Sequence, residues 1–162
     1  MRLDHAWIAA HIPHQGRMCL LEEVIEWSGD RIRCRTASHR REDNALRAHG
    51  RLGVACGIEY AAQAMAVHGA LRAMDGAPGS DPASADAARM SGVGMLSSVR
   101  GVTMHVDRLD SVAGDLYTSA TYMNGDSTMV LYEFTVGDST RTLLAGRATI
   151  AFAQRATGSV AR

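Results

Sequence analysis

The chain has 162 residues, of which 46% are hydrophobic and 21% are charged, a size and composition typical of one globular domain with a sizeable core. This composition excludes a chain that is disordered throughout. Its 17 basic and 17 acidic residues cancel at pH 7, so no global positive charge predicts binding to nucleic acid or to an anionic membrane.

The N-terminal part of the sequence predicts a short helix followed by two strands. Residues Leu3 to Ile12 form an amphipathic pattern that Pro13 ends, because the residue before a proline avoids the helical region. After a loop, an apolar run from Met18 to Trp27 leads through a turn to Arg31–Thr36, where arginines alternate with less polar residues. That period of two is typical of a strand, and we expect the two strands to form a hairpin.

The middle of the chain predicts one long helix between two loops. Polar residues from Ser38 to Ala48 predict the first loop. From Val54 to Met74 most residues are apolar and fall on all sides of a helix, which indicates a helix largely surrounded by protein. Residues 75–92 are rich in Gly, Pro, Ser, Ala and Asp, and predict a mobile loop too short to separate two domains.

The remainder of the chain predicts four strands in an antiparallel meander. They are Met95–Arg108, Gly114–Met123, Thr128–Val136 and Thr142–Phe152. The pairs Asn124–Gly125 and Gly137–Asp138 are typical of tight hairpin turns. Residues 154–162 are expected to be a frayed tail.

These elements predict an α+β fold. One helix that is apolar on all sides needs protein around it, and six antiparallel strands can curl around a single helix as one sheet. That arrangement is the hot-dog fold, and residues 1–153 are expected to form it as a single domain. An ordinary α+β sandwich would satisfy the same pattern.

The cysteines and the apolar segments indicate in which cellular compartment the protein is expected. Cys19, Cys34 and Cys56 lack the spacing of a zinc site and are an odd number, so we expect reduced thiols, no metal and a cytoplasmic protein. The N-terminal apolar stretch is too short for a signal peptide. The longest apolar region, Gly53–Leu71, contains polar side chains that are costly in lipid, which favours a core helix over a membrane span.

Three segments resemble bacterial 3-hydroxyacyl-[acyl-carrier-protein] dehydratases of the hot-dog superfamily. They are IPHQGRMCLLEEVIEW (Ile12–Trp27), GIEYAAQAMAVHG (Gly57–Gly69) and the stretch Gly94–Tyr122. The resemblance is strongest to a divergent branch of predicted dehydratase partners in aryl polyene-type pathways. It implies a substrate carried on the phosphopantetheine of an acyl carrier protein or of CoA, with no other cofactor, and a homodimer or a heterodimer with a dehydratase paralogue.

One departure from the family pattern concerns its catalytic histidine. In the typical dehydratase this residue lies fourteen positions before the helix glutamate, in a His-Phe-Pro stretch, and here that position is Ala45. Because family sites form across the subunit interface, the resemblance predicts weak activity alone and activity on mixing with a paralogue that has the histidine. His49, ten residues before Glu59, and His14, in the loop after Pro13, are the alternative candidates for the base.

The start of the long helix supplies the other candidate residues. Glu59 lies about one turn into an apolar helix, where a carboxylate must be paired, protonated or next to a cavity, so we expect a raised pKa and a role as general acid. A helix-capping or salt-bridging role is the alternative. The backbone amides near Cys56 and Gly57 are candidate donors to an enolate oxygen, and Gln63, on the same face as Glu59, is a candidate hydrogen-bonding group.

The other candidate residues are arginines and a histidine of the long helix. By analogy with the family, Arg100 and Arg108 are candidates for binding the phosphate of phosphopantetheine. The stripe formed by Arg31, Arg33 and Arg35 suits either an acidic partner or, more commonly, a solvated face. His68 points to the helix face opposite Glu59, and we expect a hydrogen-bonded core residue there.

The sequence therefore predicts a protein that handles acyl thioesters. The favoured function is a 3-hydroxyacyl-ACP dehydratase or a subunit of one. A thioesterase, in which a carboxylate activates water, and a non-catalytic acyl-binding subunit are the alternatives, because a fold alone does not choose among them. We expect a dimer, since a single sheet would leave strand edges unpaired.

Overall fold

A computed structural model describes residues 2–76 and 94–152, and its six strands form one antiparallel sheet with one long helix against it. The helices and strands are α1 (His5–His11), β1 (Glu23–Trp27), β2 (Arg31–Thr36), α2 (Gly57–Met74), β3 (Met95–Met104), β4 (Leu116–Gly125), β5 (Met129–Gly137) and β6 (Thr142–Ala151). The predicted α+β class is confirmed. Most of the predicted mobile loop, from residue 77 on, and the whole predicted tail lie outside the described residues.

The order of the strands in the sheet is β1-β2-β4-β5-β6-β3. The predicted hairpin of β1 and β2 is confirmed. The predicted four-stranded meander is wrong, because β3 pairs with β6 and β4 pairs with β2. The reason is the connection: residues 105–115 between β3 and β4 form a long irregular segment rather than a tight turn, which lets the chain cross from one edge strand to the middle of the sheet.

The two hairpin turns of the β4-β5-β6 meander are each organised by an aspartate. Asp126 Oδ1 accepts a hydrogen bond from the backbone amide of Thr128 at 2.7 Å, and Asp138 Oδ1 accepts one from that of Thr140 at 2.8 Å. The predicted turn at Gly137–Asp138 is therefore confirmed. The turn expected at Asn124–Gly125 lies further along the chain, because both residues still pair with β5 and the Asp126 side chain closes the loop instead.

One side of α2 packs against the inner face of the sheet. Its Tyr60, Val67 and Leu71 side chains are buried against residues such as Phe134 and Leu144. The opposite side remains partly or fully exposed in the described residues. This face consists of Ile58, Ala62, Ala66, Gly69, Ala70 and Ala73. No helix in the described part of the chain is long and apolar enough to span a membrane.

The segment leading into α2 is held by Asp110. Its carboxylate, on a side chain that is 5% exposed, pairs with the guanidinium groups of Arg108 and Arg47 and accepts a hydrogen bond from the amide of Leu52 at 3.0 Å. These donors, the Arg108 guanidinium above all, lower the pKa of Asp110 well below its usual range. The start of α2 is thus tied to the connection between β3 and β4, which fixes where its first turn lies.

His68 is the hydrogen-bonded core histidine that the sequence predicts. Its ring is fully buried, with Nε2 2.8 Å from the carbonyl oxygen of Ser28 and Nδ1 3.0 Å from the hydroxyl of Tyr132. A carbonyl only accepts, so Nε2 donates to Ser28 and Nδ1 accepts from Tyr132. Burial lowers the pKa of His68 below its ordinary value of 6.5, because the charged ring is poorly solvated there.

We expect this buried histidine to make stability depend on pH. As the pH falls below 6.5 the unfolded chain takes up a proton on His68 before the folded chain does, so the free energy of unfolding decreases with acidification in that window. Urea denaturation between about pH 7 and 5 should show a shallower dependence for His68→Gln than for the wild type. Equal slopes in the two proteins would contradict the assignment.

Candidate active site

The structure brings His14 and Glu59 together, although 45 positions separate them in the sequence. Nε2 of His14 lies 2.9 Å from Oε1 of Glu59, and the two side chains are 25% and 30% exposed. His14 stands in the loop that follows α1, directly after the proline that ends that helix, and Glu59 lies in the first turn of α2. Within one chain, an imidazole and a carboxylate are therefore in direct contact at a partly open position.

A buried amide side chain holds this pair in place. Gln63 is fully buried, and its Nε2 donates to Oε1 of Glu59 at 3.0 Å and to the carbonyl of Met18 at 2.7 Å. Its Oε1 accepts from the amide of Leu20 at 2.9 Å. Gln63 thus links the glutamate to residues 18–20, the same segment that continues from His14, so both members of the pair are positioned by one residue.

A second buried network lies next to the first and was not anticipated from the sequence. The hydroxyl of Tyr60 lies 3.0 Å from Ser38 Oγ and accepts from Asn44 Nδ2 at 3.0 Å. Ser38 in turn donates to the carbonyl of Leu20 at 2.7 Å. These contacts anchor the loop after β2 beneath the first turn of α2. The sequence shows this segment only as a polar loop, since nothing in its spacing reveals which side chains turn inward.

The charge state of Glu59 differs from the expectation. Burial acts to raise the pKa of Glu59, but the hydrogen bonds from His14 and Gln63 and the nearby charge of His14 outweigh it, and the net shift is downward from 4.5. The predicted raised pKa is therefore wrong. The sequence argument considered burial alone, whereas two donors aimed at the carboxylate stabilise its ionised form. Glu59 is a carboxylate at neutral pH.

The expectation that the amides of Cys56 and Gly57 are free is also wrong. A short 3-10 turn, Val54–Cys56, precedes α2, and within it the amide of Cys56 donates to Gly53 while that of Gly57 donates to Val54 and Ala55. A Cβ atom on Gly57 would lie 2.7 Å from Cδ2 of Leu144, so this glycine provides close packing of α2 on the sheet. Among residues 2–76 and 94–152, the amide of Ala55 has no acceptor.

Two of the predicted site residues are not brought to the pair. His49 is exposed, with φ of 52°, at the tip of a two-residue turn in which Ala48 and Arg51 exchange backbone hydrogen bonds. Arg100 is exposed on β3 opposite Arg147, where it lines an open groove of about 480 Å³ on the outer face of the sheet. Neither contacts His14 or Glu59, and their predicted roles find no geometric support in a single chain.

The arginine stripe of β2 also lies on this outer face. Arg35 is paired with Glu23 at 3.1 Å and with Asp115 at 2.8 Å, and the guanidinium of Arg33 lies 4.7 Å above the ring of Tyr117. Arg31 and Arg33 line a second open groove of about 500 Å³. The stripe is thus on the side of the sheet away from α2 and the His14–Glu59 pair. No cluster of three or more metal-ligating side chains occurs in the part of the chain that the structure describes.

Comparison with known proteins identifies the family and the fold. Residues 6–159 match the ApeP-like family model, which is described as ApeP dehydratase. Among solved structures, the chain is similar to the dehydratase heterocomplex ApeI:P from Xenorhabdus doucetiae, with a TM-score of 0.72 and 21% identity over 91% of both chains. It is also similar to zebrafish thioesterase superfamily member 2, with a TM-score of 0.58 and 12% identity over 91% of this chain and 94% of the other.

A third similar structure is the PaaI protein of the Escherichia coli phenylacetic acid degradation operon, with a TM-score of 0.54 and 9% identity over 91% of this chain and 88% of the other. No curated protein sequence matches the chain. At these identities the structural similarities establish the fold, and the predicted hot-dog fold is confirmed.

We expect Gln63 to be the residue whose loss most disturbs this site. Gln63→Leu keeps the volume but leaves the carbonyl of Met18 and the amide of Leu20 without partners, each worth about 1–3 kcal/mol when buried. Urea denaturation should show a loss of stability of about 2–6 kcal/mol for the two groups together. The matched control is Gln15→Leu, because Gln15 is exposed and donates only to carbonyls at the end of α1. Equal stability losses in both variants would contradict this role.

Proposed function

The chain belongs to the ApeP-like dehydratase family, and we propose that it dehydrates 3-hydroxyacyl thioesters, as a complete enzyme or as a subunit of one, with the His14–Glu59 pair as its site. The observation that carries this proposal is the 2.9 Å contact between the two side chains. It joins the opening segment and the central helix, which are two of the three segments of the sequence that resemble the dehydratases.

The reaction needs three groups, and the chain offers a candidate for each. A base must remove the proton beside the thioester carbonyl, a proton must reach the departing hydroxyl, and a donor must stabilise the developing enolate oxygen. His14 and Glu59 can meet the first two needs between them. The amide of Ala55, in the turn before α2, has no acceptor among the residues that the structure describes and is the candidate for the third.

His14 is a candidate replacement for the catalytic histidine that the family has at the position of Ala45. Ala45 leaves no histidine at the usual position, but His14 contacts Glu59 from within the same chain. This supports a base that has moved to the N-terminal segment over one supplied by a partner. The two arrangements differ in an assembly with a paralogue: His14→Ala abolishes turnover at the site of this chain if its own histidine acts, and leaves it unchanged if the partner supplies the base.

The edge strand β3 is the candidate surface for the second subunit. It pairs on one side only, and its apolar side chains are open, Met95 at 67%, Met104 at 47% and Leu96 at 39% exposure. An unpaired edge with exposed apolar residues favours pairing with another strand. We propose that a second copy or a dehydratase paralogue pairs there. The similarity to one chain of a dehydratase heterocomplex supports the paralogue.

The proposed substrate is a 3-hydroxyacyl group on the phosphopantetheine of an acyl carrier protein or of CoA. This part of the proposal rests on the family resemblance of the opening segment, the central helix and the stretch Gly94–Tyr122. The thioester carries the activating carbonyl, so the reaction requires no further cofactor.

A thioesterase is the second candidate. The observation in its favour is that Glu59 is ionised and 30% exposed, since a carboxylate that reaches solvent can activate a water molecule for attack on the thioester carbonyl. The products separate the candidates: the loss of one water from the acyl chain indicates dehydration, and a free acid indicates hydrolysis. A chain that binds the thioester and produces neither is a binding subunit.

We expect Glu59→Gln to lower turnover by about 10²–10⁴-fold while the protein remains folded, because the amide keeps the volume but not the charge of the carboxylate. The assay is mass spectrometry of 3-hydroxyacyl-ACP incubated with the protein, alone and with a paralogue. Glu42→Gln is the matched control, since Glu42 is an exposed glutamate in the loop after β2. A wild-type rate for Glu59→Gln would remove Glu59 from the chemistry.

We also expect Leu96→Lys to weaken self-association or association with a paralogue, because a charge on the edge strand opposes pairing. Light scattering at micromolar concentration measures the assembly. Met123→Lys is the control, since Met123 is similarly exposed, at 45%, but lies on β4 in the interior of the sheet. A wild-type protein that is monomeric alone and with the paralogue would refute the proposed interface.

A further inference from the structure

We propose that Arg100 determines which partner pairs with the edge strand β3. The chain pairs there with a different chain, whose own edge strand carries an aspartate or glutamate on its outer face, in preference to a second copy of itself. The inference rests on the proposed function, in which β3 joins a second subunit, and it specifies the chemistry that this subunit must have.

β3 is the open edge of the sheet. At the other edge, residues before α1 lie against β1: Asp4 forms a bridge with Glu23, and the amide of Val24 donates to the carbonyl of Leu3 at 2.8 Å. In the part of the chain that the structure describes, β3 pairs with β6 alone. A strand of a second subunit can therefore join the sheet at β3, and its side chains then extend the rows that cross the sheet.

One such row crosses the outer face of the sheet and ends at Arg100. From β2 to β3 its members are Arg31, Thr121, Glu133, Arg147 and Arg100. The carboxylate of Glu133 lies 2.9 Å from the guanidinium of Arg147. Arg100 is directly opposite Arg147 and forms no ion pair with any described residue. Because like charges opposite each other destabilise a sheet, the row ends where a carboxylate is needed.

The groove of about 480 Å³ on the outer face lies at this end of the row. Its lining residues are Ser98, Arg100, Gly101, Leu131, Arg147 and Thr149, and none of them is acidic. Two guanidinium groups thus border the groove without a carboxylate in its lining. An acidic side chain on a strand next to β3 would contact Arg100 and continue the alternation of charge that Glu133 and Arg147 begin.

A second copy of this chain cannot supply that carboxylate from β3. The strand reads MLSSVRGVTM, in which Arg100 is the only charged residue. Two antiparallel edge strands related by a two-fold axis have their outer faces on the same side of the joined sheet. Register shifts on both sides of Ser98–Arg100 leave this stretch as the regular part of β3. Pairing of two copies there therefore brings their Arg100 side chains within reach of each other.

These charges affect the choice of partner more than the strength of pairing. Exposed ion pairs contribute little to stability, and the backbone hydrogen bonds along β3 can form with either partner. Specificity, however, is a difference between two affinities. An opposite charge in one complex and a like charge in the other change that difference in the same direction, so Arg100 distinguishes partners that pair equally well through the backbone.

A mixture of two versions of this chain tests the inference directly. Arg100→Glu places a carboxylate at the end of the row, so a dimer of one wild-type and one variant chain has opposite charges where the wild-type homodimer has like charges. One of the chains is labelled with ¹⁵N, and native mass spectrometry of the equimolar mixture measures each dimer. We expect the ratio of mixed dimer to wild-type homodimer to exceed that of random pairing by about 2–5-fold, and to fall toward it at high salt.

Two further variants identify the cause of any excess. Arg31→Glu is the matched control, because Arg31 stands at the other end of the same row, on a strand in the interior of the sheet, and its mixture should show random pairing. Arg100→Gln removes the like charge without adding a carboxylate, so its mixed dimer should be less favoured than that of Arg100→Glu. An equal excess with Arg31→Glu or with Arg100→Gln would overturn the inference.

The remaining outcomes separate this inference from the proposed function. Random pairing of Arg100→Glu with the wild type, or no dimer in any mixture, refutes the role of Arg100 whether or not the wild type dehydrates 3-hydroxyacyl-ACP. Random pairing together with a raised KM for Arg100→Glu assigns Arg100 to the anionic part of the substrate instead, and also refutes it. No dehydration by the wild type in any assembly removes the proposed function, whereas the proportions of the dimers still test Arg100.

Discussion

The side-chain amide of Gln63 is the interaction on which the rest of the site depends. It is fully buried, and it contacts three groups from two parts of the chain: Met18, Leu20 and Glu59. Because no water reaches the amide, each broken contact would leave a polar group unsatisfied rather than solvated. The N-terminal segment and the first turn of α2 therefore cannot shift independently, and the distance between His14 and Glu59 follows from that constraint.

The remainder of the fold supports the same first turn of α2 from other directions. Asp110 ties the chain before the helix to the connection between β3 and β4, and Tyr60 anchors the loop after β2. Gly57 lets the helix approach Leu144 on the sheet. The opposite face of α2, lined mainly by alanines, has no such partners among residues 2–76 and 94–152. The helix is thus rigidly held at its beginning and open along one side.

The local elements could be predicted from the sequence, whereas contacts between distant residues could not. Periodicity located the strands and the long helix, because the alternation of side chains is a property of neighbours along the chain. The pairing of β3 with β6 depends on the route of the intervening segment, which periodicity does not describe. The same limit applies to the site: Glu59, Gln63 and His14 were candidates by residue type, but their mutual contacts were not visible.

The direction of the pKa shift of Glu59 is a second property that the sequence could not predict. Burial alone raises the pKa of a carboxyl group, and the position of Glu59 in an apolar helix predicted that shift. The direction reverses because two donors point at the same oxygen. Their identity depends on the three-dimensional arrangement of the N-terminal segment, so the sign of the shift could not be obtained from the helix sequence.

The position of His14 outside the sheet and the long helix has a consequence for how this protein can change. The two residues of the His14–Glu59 pair lie in different parts of the fold. Glu59 is in the long helix that packs on the sheet, whereas His14 is in the segment that follows α1. Replacement of the histidine need not disturb the packing of the sheet. The activity proposed for the pair and the ability of the chain to fold are therefore separable, so a descendant that lost His14 could keep the same fold.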